Sequence, residues 1–573
     1  MGIKYFFSWL RKTFSSHIHT LKMTDDMRQH VEVDTFLIDM NGIFHYCCQK
    51  VYKYGNFKHL RDASYNANRK TSSSQLQKMV MNMVGSYIDK LILFVKPKKR
   101  VVMAIDGPAP LSKQSQQRSR RYRSARDNED GMFDSNSITP GTVFLDHLSK
   151  YIDWFIRARV TQGAWGDIEI IFSSEKSPGE GEHKLVKFVR EHGTQDESYM
   201  MQGMDADLIM LSLATQKPNF HILRENPYRY EHEYYYINLA KIRETLVNAF
   251  LCEQTLNDDN VHITDFIAMI FFTGNDFLPH LPTIEILDGG VEHLFETYRM
   301  VVKQCGPLTT NTQTLNMKSV QVFLGTLGLN QTDAIIQKRT KSIEFPDRLI
   351  ERYTTLQPSG EFTLQWDAYR KEYYASKMNL HTEEDILIAC MKYIEGLQWV
   401  LTYYTKGTPH AHWRWFYPYD HAPFLTDIAE SVYSYYEWAK HSKQNKHNRP
   451  NYPYQPFLQL LSVLPPRSNS LLPSPLSGLM MSPQLQESYP NSFEIDMDGK
   501  KNEWEGVVKL PSLDYTTLER EYEKAVKYVS DQDKRRNFIG KSFIYKQTDE
   551  PYLFKSYYGN IDQCLASSVI FNL

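Results

Sequence analysis

Through residues 1–290, short runs of consecutive apolar positions alternate with longer stretches in which apolar residues recur every three or four. Five of the short runs read as strands: DTFLID (34–39), RVVMAID (100–106), DIEIIFS (167–173), SYMMQG (198–203) and FHILRE (220–225). SSQLQKMVMNMVGSYIDKLILFV (73–95) and TPGTVFLDHLSKYIDWFIRARV (139–160) carry the helical period, with Thr139 suited to an N-cap and Pro140 to a first helical position. Strands that alternate with helices predict an α/β fold, a mostly parallel twisted sheet flanked by helices. Residues 291–375 read as a more polar helical connection. A helix-rich second region follows over 376–573, led by EEDILIACMKYIEGLQWVLTYY (383–404). The stretch 460–483 has the Pro and Ser content of a linker, but its leucines and methionines predict an ordered, wrapping loop.

Composition narrows the class. No apolar run approaches the ~20 residues that span a bilayer, so a membrane-spanning helix is excluded. The start, MGIKYFFSWLRK, has neither the long apolar core of a signal peptide nor the hydroxyl residue of a myristoylation site. Six cysteines, two of them adjacent (Cys47 and Cys48) and none in a CxxC, argue against disulfide scaffolds and zinc knuckles. A reduced, intracellular setting is expected, cytoplasmic with a nuclear one left open. Net charge is −1, which gives no bulk attraction to polyanions, yet ten Lys/Arg stand against Asp106 alone between Lys96 and Arg126.

Open parallel sheets bind ligands beyond the carboxyl ends of their strands. Asp39 and Asp106 end two of the five strands. Glu180 and Glu182, in SPGEGEHKL, follow the third; Asp205 and Asp207, in MDADLIML, follow the fourth; Asp276, in FFTGNDFLPHLP, closes an apolar helical run. Each has a structural reading: Pro178 and the two glutamates suit a helix start that Gly193 ends, and an aspartate can be an N-cap or turn residue. Seven carboxylates at one edge would repel one another unless cations sat among them. Oxygen ligands in this number suit magnesium, or manganese in its place, and two such ions suit phosphodiester hydrolysis.

Lys113, Gln117, Arg120 and Arg121 fall at i, i+4, i+7 and i+8, one face of a helix. Arginine forks and a lysine there suit a terminal 5′ phosphate, and an exposed basic helix that tracks a backbone is the other reading. His45, Trp413 and Trp415 are open to two roles, packed core or base stacking.

These stretches, in their order, resemble the Xrn family of 5′→3′ exoribonucleases: MGIKYFFSWLRKTF, LIDMNGIFH, AIDGPAPLSKQSQQRSRRYRSA, FDSNSITPGT, SPGEGEHK, GMDADLIML and FFTGNDFLPHLP. In the second half YIEGLQWVLTYYTKG, WRWFYPYDHAPF, VLPPRSNSLLP and FEIDMDGKKNEWEGVVKLP look like that family's second conserved region. The resemblance implies a nuclease core of the PIN/flap-nuclease type, completed by the second region. It places the metal-binding carboxylates on Asp39, Asp106, Glu180, Glu182, Asp205, Asp207 and Asp276, and the 5′-phosphate pocket on Lys113, Gln117, Arg120 and Arg121. The nucleotide-stacking histidine falls on His45 and the active-site tryptophan on Trp413. It implies processive degradation of uncapped, 5′-monophosphorylated single-stranded RNA to mononucleotides, with two Mg²⁺, as a monomer and downstream of a decapping enzyme. Departures from the family pattern fall at Leu111, His412, Asp420 and His421. Two other readings remain open from residues alone: a flap-type 5′ DNA nuclease, and a non-catalytic RNA-binding scaffold of the same fold.

Overall fold

The computed structural model describes residues 2–60, 72–127, 133–227, 229, 233–251, 259–340, 344–442 and 451–573. All five expected strands are present, as β2 (Thr35–Asp39), β3 (Arg100–Ala104), β4 (Glu169–Ser173), β5 (Tyr199–Gln202) and β6 (Phe220–Glu225). They lie parallel in the order β6-β5-β2-β3-β4. Two strands not foreseen, β1 (Ile18–Lys22) and β7 (Glu233–Asn238), add antiparallel pairs beyond β6. Small hairpins, β8 (Thr354–Leu356) with β9 (Phe362–Leu364) and β10 (Glu494–Asp496) with β11 (Val507–Lys509), stand apart from this sheet.

The region expected to be helix-rich closes on a hairpin, β12 (Ser542–Phe554) and β13 (Ile561–Phe571). β12 pairs antiparallel with β4, Phe543 opposite Phe172, so this hairpin joins the same sheet, which has nine strands among the described residues. The period-2 signal of this hairpin is weak because both strands are largely solvated and their few buried positions do not alternate regularly.

The central strands are apolar in their middle positions because both faces of the sheet are covered. Phe36, Ile38, Val101, Met103, Ile170 and Phe172 face one core, filled by the helices Ser73–Val95 and Val143–Thr161. Leu37, Val102, Ile171 and Met201 face another, filled in part by the helix Glu383–Lys406 of the second region. A third core gathers Phe457, Leu461, Leu464, Leu476 and Tyr489, so the stretch 460–483 is ordered in short helical turns that wrap Leu111. Among the described residues no helix is long and apolar enough to cross a membrane.

Two helix starts differ from expectation. The helix after FDSNSITPGT begins at Val143 with Thr142 as its cap; Thr139 and Pro140 precede it, because the Thr142 hydroxyl, not that of Thr139, reaches the free Leu145 N–H. Likewise Gly181, not Pro178, begins the helix Gly181–His192, with Glu180 at the N-cap position and Gly193 at its end.

Candidate active site

Strand register brings the acids together. Asp39 lies opposite Ala104 at the carboxyl end of β2, and Asp106 follows two residues later. Asp39 caps the helix Met40–Tyr52 by accepting from the Asn41 N–H. Asn41 in turn holds Asp106: its Nδ2 donates to Asp106 Oδ2 at 2.8 Å and its Oδ1 accepts from the Asp106 N–H at 3.0 Å. The Gly181 N–H donates to Asp106 Oδ1 at 2.6 Å. A Cβ on Gly181 would lie 2.9 Å from Asp39 Oδ1 and 3.3 Å from Asp106 Oδ1, so only glycine lets the helix approach both carboxylates this closely. Beneath them the buried Lys184 Nζ ties the ends of β3 and β4 by donating to the Ile105 and Ser174 carbonyls.

Glu182, Asp205 and Asp207 offer oxygens within 4.8 Å of one another, and Glu180, Glu182 and His183 form a second such group. Lys113 is the cation at the centre, 2.5 Å from Glu180 Oε2 and 2.8 Å from Asp276 Oδ2. All seven predicted carboxylates therefore belong to one electrostatically linked cluster, and electrostatics records the crowding. Burial, then the charges of Asp106 and Asp205, push Asp39 well above the usual carboxylate range. Burial and Asp207 do the same to Glu182. Asp207 is pushed up to about 7 by burial, with Asp205 and Asp276 adding to it. Burial would raise Asp276 too, but Lys113 outweighs it and holds that carboxyl below its ordinary value.

The helix Leu111–Asp127 confirms the helical spacing of the basic residues but divides their duties. Lys113 is engaged by the acids. Arg120 and Arg121 lie together beside His45: burial, then these two arginines, lower the His45 ring to about 4, so it is neutral. Arg121 is buried and donates to Asn136 Oδ1 (3.1 Å) and Thr139 Oγ1 (2.6 Å), while its Nε and the Gln117 Oε1 are buried without partners. An unpaired donor and acceptor in one recess is costly unless a ligand or water answers them. The Trp413 carbonyl accepts from the Leu111 N–H at 2.8 Å and fastens the start of the basic helix. Leu111 packs in the third core, and His412 accepts from the Trp399 indole through its carbonyl. His421 lies 3.6 Å from Asp496, and its neighbour Asp420 is raised by burial.

Sequence reasoning missed the contribution of the helix Glu383–Lys406. Tyr403 donates to Glu180 Oε1 at 2.8 Å and Tyr404 to Asp207 Oδ2 at 3.5 Å. Tyr403 also sits in a column of rings, His183, Tyr403, Trp399 and Trp415, with successive centroids 3.7, 4.9 and 5.0 Å apart. Two adjacent tyrosines in a long apolar helix read as core; only the fold shows their hydroxyls reaching carboxylates.

The donor set is oxygen-rich, and Asp207 Oδ1 is buried with no hydrogen-bond partner among the described residues, so these residues fit a hard divalent cation. A parallel sheet whose carboxyl edge carries such a cluster, beside an arginine-lined recess, defines a divalent-cation-dependent enzyme class that acts on phosphate esters. Family models agree: "XRN 5'-3' exonuclease N-terminus" matches residues 1–226, and "Xrn1 helical domain" matches 256–362 and 351–564. The chain belongs to the Xrn 5′-3′ exonuclease family. It is 28% identical, over 97% of its length, to the 5′-3′ exoribonuclease 2 homolog of Drosophila melanogaster, covering 74% of that protein. It is also 27% identical to 5′-3′ exoribonuclease 1 of Schizosaccharomyces pombe and 28% identical to that of Homo sapiens, over 96% and 94% of its length. It spans 50% and 35% of those two proteins.

Proposed function

We propose that this chain hydrolyses single-stranded RNA from a 5′-monophosphate end, one nucleotide at a time, with two magnesium ions as cofactors. The carrying observation is the acid cluster at the strand ends, in which Lys113, on the same helix as Arg120 and Arg121, joins Glu180 at the head of the Gly181 helix to Asp276. Asp39, Asp106, Glu180, Glu182, Asp205, Asp207 and Asp276 would hold the ions. When bound, these lower the pKa of the attacking water and stabilise charge on the leaving oxygen.

The protein's own residues set the rest. Arg120, Arg121 and Gln117 grip the terminal phosphate, and the unpaired Arg121 Nε and Gln117 Oε1 are free to receive it and its bridging proton or water. His45, neutral beside the arginines, offers a flat face to the terminal base without adding to their repulsion. Lys113 neutralises part of the acidic charge and fixes Glu180 relative to Asp276. A recess sized by one buried arginine and its Asn136 and Thr139 partners accounts for selection of a monophosphate over a cap. A decapping activity would then be needed to generate substrate.

The test is digestion of one RNA bearing 5′ monophosphate, hydroxyl, triphosphate or cap, with and without magnesium. Release of mononucleotides is expected from the monophosphate alone and only with the metal. Equal rates on hydroxyl and monophosphate ends would refute the phosphate cup, and preferential cutting of flapped DNA would favour the other nuclease reading.

A further inference from the structure

Beyond the acids lies a second set of cations that the reaction as described leaves unused. The segment Gly2–Tyr5, the loop from Gly274 to Glu285, the helix Gln331–Arg339 and the loop 498–506 meet in one crevice. Several contacts fix this meeting. Tyr5 donates to Glu505 Oε1 at 2.5 Å, and Lys4 Nζ to the Glu505 carbonyl at 3.4 Å. Lys338 pairs with Glu285, and the Phe345 N–H donates to the Lys500 carbonyl at 3.3 Å. Lys4 also lies over the Trp504 ring, 5.6 Å from its centroid.

Lys500 and Arg123 stand close enough to Lys4, and Lys338 close enough to Lys500, to influence them, with Glu285, Glu505 and Asp496 as the acids among them. Four cations against three acids leave the crevice with a positive excess. Lys338 is paired with Glu285 and Arg123 donates to the carbonyls of Trp504 and Gly506. Lys500 is different: its half-buried ammonium has no hydrogen-bond or ion-pair partner at contact distance among the described residues. Partial desolvation, with Lys500 and Arg123, lowers the exposed Lys4 to about 8. An arrangement that crowds like charges in a crevice is poorly explained by stability.

Its position suggests what it receives. Gly2 is packed on Asp207, a built Cβ lying 2.8 Å from the carboxylate carbon, and Lys4 is two residues on, no more than about 7 Å of chain away. On the other side Gly274, at φ +87°, is packed on His280, whose ring is held by the Leu281 carbonyl; Asp276 lies between them in sequence. Arg120 instead acts on Asp205. A polyanion with its end at Arg120 and Arg121 would cross the acids and next meet Lys4 and Lys500.

We propose that Lys4 and Lys500 form a backbone-phosphate subsite for the part of a single-stranded RNA 3′ to the bond being cut. This rests on the reading of the chain as a 5′→3′ ribonuclease. Such a subsite holds the strand after each product leaves, so it governs long substrates and not the chemistry on short ones.

The experiment compares Lys4→Gln, Lys500→Gln and the double variant with the unaltered chain, on 5′-phosphorylated RNAs of two and twenty nucleotides. Binding of a fluorescent twenty-mer is measured alongside by anisotropy, in metal-free buffer at several salt concentrations. For the double variant, kcat/KM on the twenty-mer is expected to fall about tenfold, with dinucleotide cleavage unchanged. The slope of log affinity against log salt is expected to shrink by about 1.4, the value for two phosphate contacts on a single strand. Unchanged binding and salt slope would overturn the proposal, as would an equal loss on both substrates. Lys4→Gln alters an exposed side chain and guards against a folding defect in Lys500→Gln. If the unaltered chain cut neither RNA, the nuclease reading would fall, while the anisotropy series would still decide the subsite.

Discussion

Two acidic clusters in this molecule are built from the same side chains and behave oppositely. Around Asp496 and Asp498, Lys377 reaches both carboxylates at 2.6 and 2.8 Å, Arg348 pairs with Asp498 at 2.8 Å, and Lys509 lies 3.9 Å from Asp496. Burial works against these charges, yet the lysine and arginine win, and both acids sit below their ordinary range. At the sheet edge Lys113 reaches only Glu180 and Asp276 of the seven acids, and Asp39, Glu182 and Asp207 are driven upward. The protein neutralises the first cluster by itself. It leaves the second to be neutralised from outside, and this difference separates a brace from a site.

Glu182→Gln should break the contrast most sharply. Cleavage is expected to fall by more than about a hundredfold, beyond the loss typical of an outer-shell partner of a metal ligand. Stability should move the other way in metal-free buffer. Folding raises the Glu182 pKa, so its stabilising share is present at low pH and is lost as pH rises through the folded value. The unaltered chain should therefore melt lower as pH rises from about 5 to 8, with the variant less sensitive, and added Mg²⁺ should raise the melting temperature of the unaltered chain more. A variant that melts well below the unaltered chain at pH 8 would make Glu182 a structural residue.

The reverse holds for Lys377→Met. Lys377 and Asp496 are 9% and 4% exposed at their side chains, and removal of one partner strands the others, at a cost of about 3 kcal/mol. The folded fraction should cleave RNA at the normal rate. Loss of activity without loss of stability would show that the brace takes part in the site.

The two clusters were unequally legible in the sequence. The acids of the site follow strand ends, so strand periodicity alone gathers Asp39, Asp106, Glu180, Glu182, Asp205 and Asp207 at one edge. The basic helix was equally readable from its spacing. Its division of labour was not, because Lys113 turns toward Glu180 and Asp276, residues 67 and 163 positions away. The brace joins residues 119 and 150 positions apart through mostly short elements, and no local pattern announces it. The β12–β13 hairpin escaped notice for a different reason. Its exposed faces dilute the alternation on which strand recognition depends.

The finest test of the contrast is Tyr403→Phe. Tyr403 belongs to the second region, yet its hydroxyl donates to Glu180 Oε1 while Lys113 holds Oε2, so the two fix the orientation of that carboxylate. Phenylalanine keeps the ring, and with it the stack on His183 at 3.7 Å and Trp399 at 4.9 Å. Only the hydrogen bond is lost, which is worth about 1.5–3 kcal/mol when the acceptor is charged. Because Tyr403 would touch a ligand and not the RNA, its loss should appear in the metal requirement. A roughly tenfold weaker Mn²⁺ affinity by electron paramagnetic resonance is expected, with a matching rise in the Mg²⁺ needed for half-maximal rate and an unchanged KM for RNA. Tyr404→Phe, whose hydroxyl stands 3.5 Å from Asp207, should show the same signature more weakly. If both variants instead raised KM with metal affinity intact, the helix Glu383–Lys406 would be a wall of the RNA path and not a support for the carboxylates.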